Sequence, residues 1–334
     1  MQRAKLISYS KGIAILGIML YHLISCYLAR HPIIAKGVSF GGAGVHVFIL
    51  CSGFGLMYSN IRRPLNFIPF IRKRFLKVYV PYIVVVIIAF LLPNVYSGFN
   101  KTMALLSHIF LFKMFIPAYT ATFGFQFWYI STIIQFYLFF TVLVMLFQKI
   151  GARNFFIMSC LISFSWAVLI SLLGLTEVRV WNSFFLQYLW EFALGMVLAA
   201  EYAREGKLRL ESMSMPKLIM VTLISFVIYS VLSLIGGFLK AFNDPFSLIA
   251  FGGICLILYR CNFLPGFVHF TSGISYEIYL LHVLIFKLYF EVFSLPFPLL
   301  LTALISVSTT YLLSWLYHLF ILKISSAKKA PEKT

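Results

Sequence analysis

Two residues near the start of the chain have types and a spacing that could do chemistry together. Lys11 and His22 stand eleven residues apart in the first strongly apolar segment. Eleven residues are close to a whole number of helical turns. On a helix the two side chains therefore share one face, about 16 Å apart along the axis. A neutral imidazole serves as a general base or a nucleophile near pH 7, and an ammonium at a membrane surface is a docking point for an anion. An ionisable residue inside an apolar segment is a candidate functional residue. A histidine that merely hydrogen-bonds a neighbouring helix would leave the same trace in the sequence.

The segments that must position this pair are apolar nearly throughout. The chain has 334 residues, 62% of them hydrophobic and only 11% charged, where soluble domains carry about 25%. Apolar runs lie at 12–29, 40–59, 78–93, 103–117, 127–147, 154–175, 182–200, 217–236, 244–260, 273–292 and 297–321. This is the signature of a polytopic helical membrane protein with no separate soluble domain. The run 103–117 is short, carries His108 and Lys113 and ends at Pro117, so a re-entrant or interfacial segment is expected there. Met1–Lys11 leads into the first run without a small-residue cleavage site, so that run is expected to stay as an anchor.

Charge sets the orientation. With 103–117 not crossing and the N-terminus inside, the cytoplasmic side collects 20 of the 27 Lys and Arg residues; if it crosses, eleven of those 20 move outside. The positive-inside rule favours the first arrangement. The expected fold is an all-α, polytopic transmembrane bundle of about ten spanning helices plus one short re-entrant or interfacial segment. The expected domain covers 1–322, followed by a short basic cytoplasmic tail, 323–334. Both termini are expected in the cytoplasm, with the chain in the cell membrane among its lipids. The net charge of +18 sits between apolar runs and does not point to nucleic acid. Cys26, Cys51, Cys160, Cys255 and Cys261 have no C-x-x-C spacing, so no metal is expected, and they read as small packing residues. The most basic loop holds Arg62, Arg63 and the run Arg72-Lys73-Arg74-Phe75-Leu76-Lys77. Such a cluster either contacts anionic headgroups or holds the phosphates of a cytoplasmic ligand.

Five local patterns then fall in order along the chain. They are Lys11 with His22; Gly41-Gly42-Ala43-Gly44 running to Ser52-Gly53-Phe54; Arg72-Lys73-Arg74-Phe75-Leu76-Lys77 before Pro81; Phe127-Trp128-Tyr129 with Gln135-Phe136-Tyr137; and Ser275-Tyr276-Glu277-Ile278-Tyr279-Leu280-Leu281-His282. Together they resemble the motif series of the membrane-bound acyltransferase-3 family over the whole chain. Lys11 stands where that family usually has arginine, and Lys77 stands at the second arginine of an Arg-x-x-Arg motif. Ile133 and Ile134 stand where peptidoglycan and lipopolysaccharide acetylases carry a Glu-Glu pair, which suits a branch acting on capsular or exopolysaccharide units.

The resemblance implies an integral membrane O-acetyltransferase. It would move an acetyl group from cytoplasmic acetyl-CoA, as co-substrate, to a hydroxyl of a glycan or lipid-linked glycan. In that role His22 is the base or the transient acyl carrier. Lys11, Arg72, Arg74 and Lys77 dock the CoA phosphates. Ser52 is either an oxyanion donor or a packing residue. His282 comes with Glu277, which either pairs with a basic side chain or orients a histidine. Trp128, Tyr129 and Tyr137 either stack on sugar rings or belong to an interfacial aromatic belt. Glu191, His46 and His108 are weaker candidates. The readings from other classes are a glycan transporter or flippase, and a polysaccharide-export subunit without catalysis. No repeat between the two halves favours transport.

Overall fold

A computed structural model describes residues 4–28, 39–93, 95–293 and 298–327. About 85% of the chain is helical, with no strand among the described residues. The cause is the composition. An apolar run in lipid has no water to satisfy its peptide groups, so each segment must close its own hydrogen bonds as a helix.

The main helices are α1 (Lys5–Leu28), α2 (Gly44–Arg62), α3 (Phe67–Leu91), α4 (Lys101–Ile109), α5 (Trp128–Leu172), α6 (Leu189–Glu205), α7 (Met215–Ile235), α8 (Asp244–Arg260), α9 (Pro265–Gly273), α10 (Ser275–Lys287) and α11 (Leu299–Ala327). Six of these segments are long and apolar enough to cross a membrane, and a seventh is added if the α9–α10 pair, bent by 80°, is one span. The expected run 103–117 is not among them. It forms α4 and then two single 3-10 turns, Lys113–Phe115 and Pro117–Tyr119.

The runs 127–147 and 154–175 flank a break in the 45-residue α5 at Gly151 (φ 79°, ψ 160°), where two helices meet. Only glycine adopts that backbone readily. The run expected at 78–93 starts at Phe67, and a π-helical turn, Phe75–Tyr79, interrupts α3. Pro81 follows two residues later. It has no N–H to give the preceding turn, so the ladder widens there. The basic tail begins inside α11, which continues to Ala327, and residues 328–334 lie outside the described residues.

Side chains sort inside-out relative to a soluble bundle. On α7, Leu223, Ile224, Val227, Val231 and Leu234 are exposed, while Thr222 and Ser225 are buried. On α11, Thr302, Ser306, Thr310 and Ser314 recur every four residues and are all buried, whereas Leu304, Leu312 and Leu319 are exposed. Small polar residues at helix contacts and apolar residues outward are what a lipid solvent selects.

α1 lies at the centre, packed against α2, α8, α9 and α10. α2 and α6 form the most extensive helix pair, and they approach backbone to backbone. A Cβ on Gly53 would lie 2.1 Å from the Phe192 carbonyl oxygen, and a Cβ on Gly195 2.1 Å from that of Leu50. Neither helix can yield without moving its backbone. Gly53→Leu is therefore expected to destabilise the bundle by more than the roughly 1–3 kcal/mol of ordinary overpacking. Thermal unfolding in detergent reads this, with Gly55→Leu as the control, because a Cβ there meets nothing within 4 Å. Equal melting of the two variants would contradict the close contact.

Candidate active site

α1 carries Lys11 and His22 each six residues inside one of its ends, Lys5 and Leu28. Neither lies at the helix tip, and the expected face-sharing spacing is preserved. His22 is buried, and its Nδ1 lies 2.6 Å from Nε2 of His282 on α10. The two rings are nearly parallel, 13° apart, and meet edge to edge with centroids 4.9 Å apart.

The hydrogen-bond roles follow from one backbone carbonyl. His282 Nδ1 lies 2.8 Å from the Ile278 carbonyl oxygen. That oxygen only accepts, so His282 Nδ1–H donates to it. In the neutral ring Nε2 then carries a lone pair. His22 Nδ1–H donates to that lone pair, and the lone pair of His22 is left on Nε2. A helix carbonyl thus fixes one tautomer, which fixes the next. When His22 Nε2 takes up a proton, the charge is held on a 2.6 Å hydrogen bond to a second imidazole.

Each polar residue of the α10 motif has a separate partner. Tyr276 donates to the Val78 carbonyl at 2.6 Å, and Tyr279 donates to the Gln126 carbonyl. Glu277 Oε1 accepts from His318 Nδ1 of α11 at 2.8 Å. Glu277 therefore orients His318, whereas His282 is bonded to His22. The reason is angular. Residues five apart on a helix do not share a face, unlike those three or four apart.

The loop between α4 and α5 closes the site from another side. Phe125 meets the His22 ring edge-on at 4.9 Å, and Tyr21 lies against the same ring at 4.8 Å. Phe125 follows Gly124 (φ 134°), and Leu111 and Phe123 also have positive φ. This strained backbone is held by two buried side chains. His108 Nε2–H donates to the Thr122 carbonyl at 3.0 Å, with Tyr82 on its other nitrogen at 2.6 Å. Lys113 Nζ donates to the Gly124 and Thr122 carbonyls at 3.2 and 3.4 Å, and lies 5.7 Å from the Phe127 ring centre.

Burial pushes the Lys113 amine down to about 7 from its ordinary 10.5. Between those values the folded chain holds a neutral amine while the unfolded chain holds a charged one. The unfolded state binds more protons in that window, so Lys113 makes stability rise with pH from about 7 to 10.5, and its cost is full below 7. Lys113→Met is expected to remove this rise. Melting wild type and variant at pH 7 and 9.5 should show the wild type gaining stability relative to the variant at the higher pH. An unchanged gap would contradict a buried neutral lysine.

The remaining expected residues fall into two groups. Ser52 Oγ–H donates to the Phe48 carbonyl at 2.8 Å, so Tyr129 Oη–H donates to Ser52 at 3.3 Å. In this geometry the serine proton is committed to its own helix. Tyr129 packs on Tyr279 at 5.5 Å, and Tyr279 lies 6.3 Å from His282. Ser52, Tyr129, His282 and His22 thus form one contiguous cluster. Trp128 borders it, with the Arg179 guanidinium over its ring at 5.0 Å and Tyr188 tilted against it at 5.6 Å.

Tyr137 belongs elsewhere. It is nine residues further along α5, where the Arg74 guanidinium lies 5.8 Å from its ring and 5.7 Å from that of Phe70. The Nε of Arg74 is buried without a hydrogen-bond partner, and Arg72 and Lys77 are exposed. A cavity of about 800 Å³ opens beside the first turns of α1, lined by Lys5, Ser8, Tyr9, Arg260 and His269 among others. Arg260 is engaged there, donating to the Leu210 and Glu211 carbonyls at 3.1 and 2.5 Å. No motif singled out Phe125, Arg179, Tyr188 or His318. Each is defined by a partner on a distant segment.

The fold defines a helical membrane protein, and the site is a buried imidazole pair whose hydrogen bonds among the described residues put the lone pair of His22 on Nε2. The chain matches the family model described as an acyltransferase domain over residues 6–319 and belongs to the acyltransferase-3 family. Neither the curated proteins nor the solved structures gave a match. The family makes the chain a membrane acyltransferase.

Proposed function

We propose that the protein is an O-acetyltransferase that takes acetyl from cytoplasmic acetyl-CoA and delivers it to a hydroxyl of a capsular, exopolysaccharide or other envelope glycan. The observation that carries this reading is the His22–His282 pair, with its lone pair on His22 Nε2. His22 acts as general base. Nε2 takes the proton of the acceptor hydroxyl as that oxygen attacks the thioester carbonyl. The C–S bond then breaks, and the leaving thiolate takes the proton back from His22. Lys11, Arg72, Arg74 and Lys77 serve the CoA phosphates, and Trp128 and Tyr129 the sugar.

The topology consistent with this chemistry has ten spans and both termini in the cytoplasm, in the cell membrane. Counting α5 as two spans about Gly151, and the 17-residue α6 and α8 as one span each, supports the number. In that orientation Lys11 lies toward the cytoplasm, in the half of α1 that carries the cavity-lining Lys5, Ser8 and Tyr9, and His22 lies toward the outer face. Donor and acceptor then approach from opposite ends of one helix. The family match favours group transfer over the transport and export readings.

The test is direct. Purified protein in lipid is given acetyl-CoA labelled in the acetyl group together with surface polysaccharide. Label in the polysaccharide, released by mild base as an ester is, is expected. Acetyl-CoA that neither binds nor is consumed would overturn the assignment. Label retained on denatured protein would replace the base with an acyl carrier.

A further inference from the structure

A second polar cluster lies outside the site just described. His46 stands in the first turn of α2, Glu191 in the first turn of α6, and Asp244 at the first residue of α8. Each offers one donor atom, and the three atoms lie within 4.8 Å of one another. Glu191 is fully buried, and His46 and Asp244 retain side-chain exposures of 13% and 15%. The group is thus sealed on one side and open on the other.

Its hydrogen bonds leave an excess of acceptors. His46 Nδ1–H donates to Glu191 Oε1 at 2.7 Å. The neutral ring then has its lone pair on Nε2, which faces Asp244 Oδ1 at 3.8 Å. That separation is too long for a hydrogen bond. It suits two donors on one ion, since bonds of about 2.0–2.2 Å allow ligand atoms up to about 4 Å apart. The far oxygen of Asp244 accepts from Gln187 Nε2 at 2.7 Å.

Two further oxygens at the cluster are buried without a partner: Glu191 Oε2, on the carboxylate that holds His46, and Gln187 Oε1, on the amide that holds Asp244. Gln187 is 6% exposed. A buried polar atom of this kind costs stability unless something fills its demand. A hydrated cation brings both positive charge and hydrogen-bond donors to such a cluster. A sealed pair of oxygens beside a narrow opening fits an ion better than a sugar ring.

We infer that His46 Nε2 and Asp244 Oδ1 hold one divalent cation of the manganese-to-zinc type, with Glu191 holding the His46 ring from its other nitrogen. One imidazole nitrogen with carboxylate and amide oxygens is the donor chemistry of such ions. The Nδ1–H of the ligand histidine on a carboxylate is the accompanying arrangement that orients the ring. The ion ties the starts of α2, α6 and α8 together. It lies behind Tyr188, which packs on both His46 (5.8 Å) and Trp128 (5.6 Å), and so braces the wall of the acyl-transfer site.

The test needs no acetyl donor, so its outcome is separate from that of the proposed function. Full-length protein in detergent is stripped with a chelator, desalted and titrated calorimetrically with Mn²⁺ and with Zn²⁺, and bound metal is counted. One equivalent per chain, with a higher melting temperature when loaded, is expected. Asp244→Asn and His46→Gln should each weaken binding by about 10–100-fold. Folded wild-type protein that takes up no stoichiometric metal overturns the site whatever the variants do. Uptake that survives in the His46→Gln, Asp244→Asn double variant overturns it as well, because the metal is then bound elsewhere.

Discussion

Replacing His22 by glutamine is expected to lower acetyl transfer by about two to four orders of magnitude, the usual contribution of a positioned general base. Glutamine is chosen because the site is tight. His22 is buried and its ring touches Tyr21, Phe125 and His282, so alanine would leave a cavity whose cost confuses folding with chemistry. The glutamine Nε2–H₂ can still donate to His282, but the amide cannot take a proton at neutral pH. The loss should therefore fall on kcat, with KM for acetyl-CoA little changed, because the cations proposed to dock it lie elsewhere. His22→Ala should lose at least as much. A well-folded His22→Gln protein that transfers acetyl at the wild-type rate would remove His22 from the chemistry.

The first-helix pair was legible because helix periodicity is local. Lys11 and His22 needed only the 3.6-residue turn, and α1 delivers it. His22 and His282 could each be singled out, but their bond could not. The partners are 260 residues apart, and only the packing of α10 on α1 brings them within 2.6 Å. The same limit hid the partner of Glu277. The sequence left its histidine open, and the helix turn directs the carboxylate toward His318. Tyr137 looked equivalent to Tyr129 in composition, yet their eight-residue separation along α5 sends one to Arg74 and the other to the histidine cluster.

Span boundaries were obscured for a different reason. Hydropathy averages over a window. It separated the runs on either side of Gly151 and began one at the bend after Gly273, but it missed that the third span is already helical from Phe67, where Arg72, Lys73 and Arg74 lower the average. The His46–Glu191–Asp244 group was the least legible of all. Its members come from three helices at 46, 191 and 244, so no spacing pattern links them, and their convergence depends on the packing of α2 against both α6 and α8.

His282→Leu is expected to cost transfer about 10²-fold or more, although His282 need touch no substrate. It is a positioning residue. Its Nε2 accepts the His22 Nδ1–H at 2.6 Å and so keeps the lone pair of His22 on Nε2. In the leucine variant that acceptor is gone. His22 can then carry its proton on Nε2 with no penalty from a broken bond, and the reactive nitrogen is blocked; loss of tautomer control is costly in histidine catalysis generally. His282→Gln tests this against a purely structural role. The glutamine carbonyl oxygen can accept the same Nδ1–H, so it should restore transfer to within about tenfold of wild type, while the leucine, of similar volume, should not. KM for acetyl-CoA should stay constant across the series. If leucine and glutamine fall equally, with equal melting temperatures, His282 contributes packing alone, and the tautomer of His22 is set by something other than the Ile278 carbonyl.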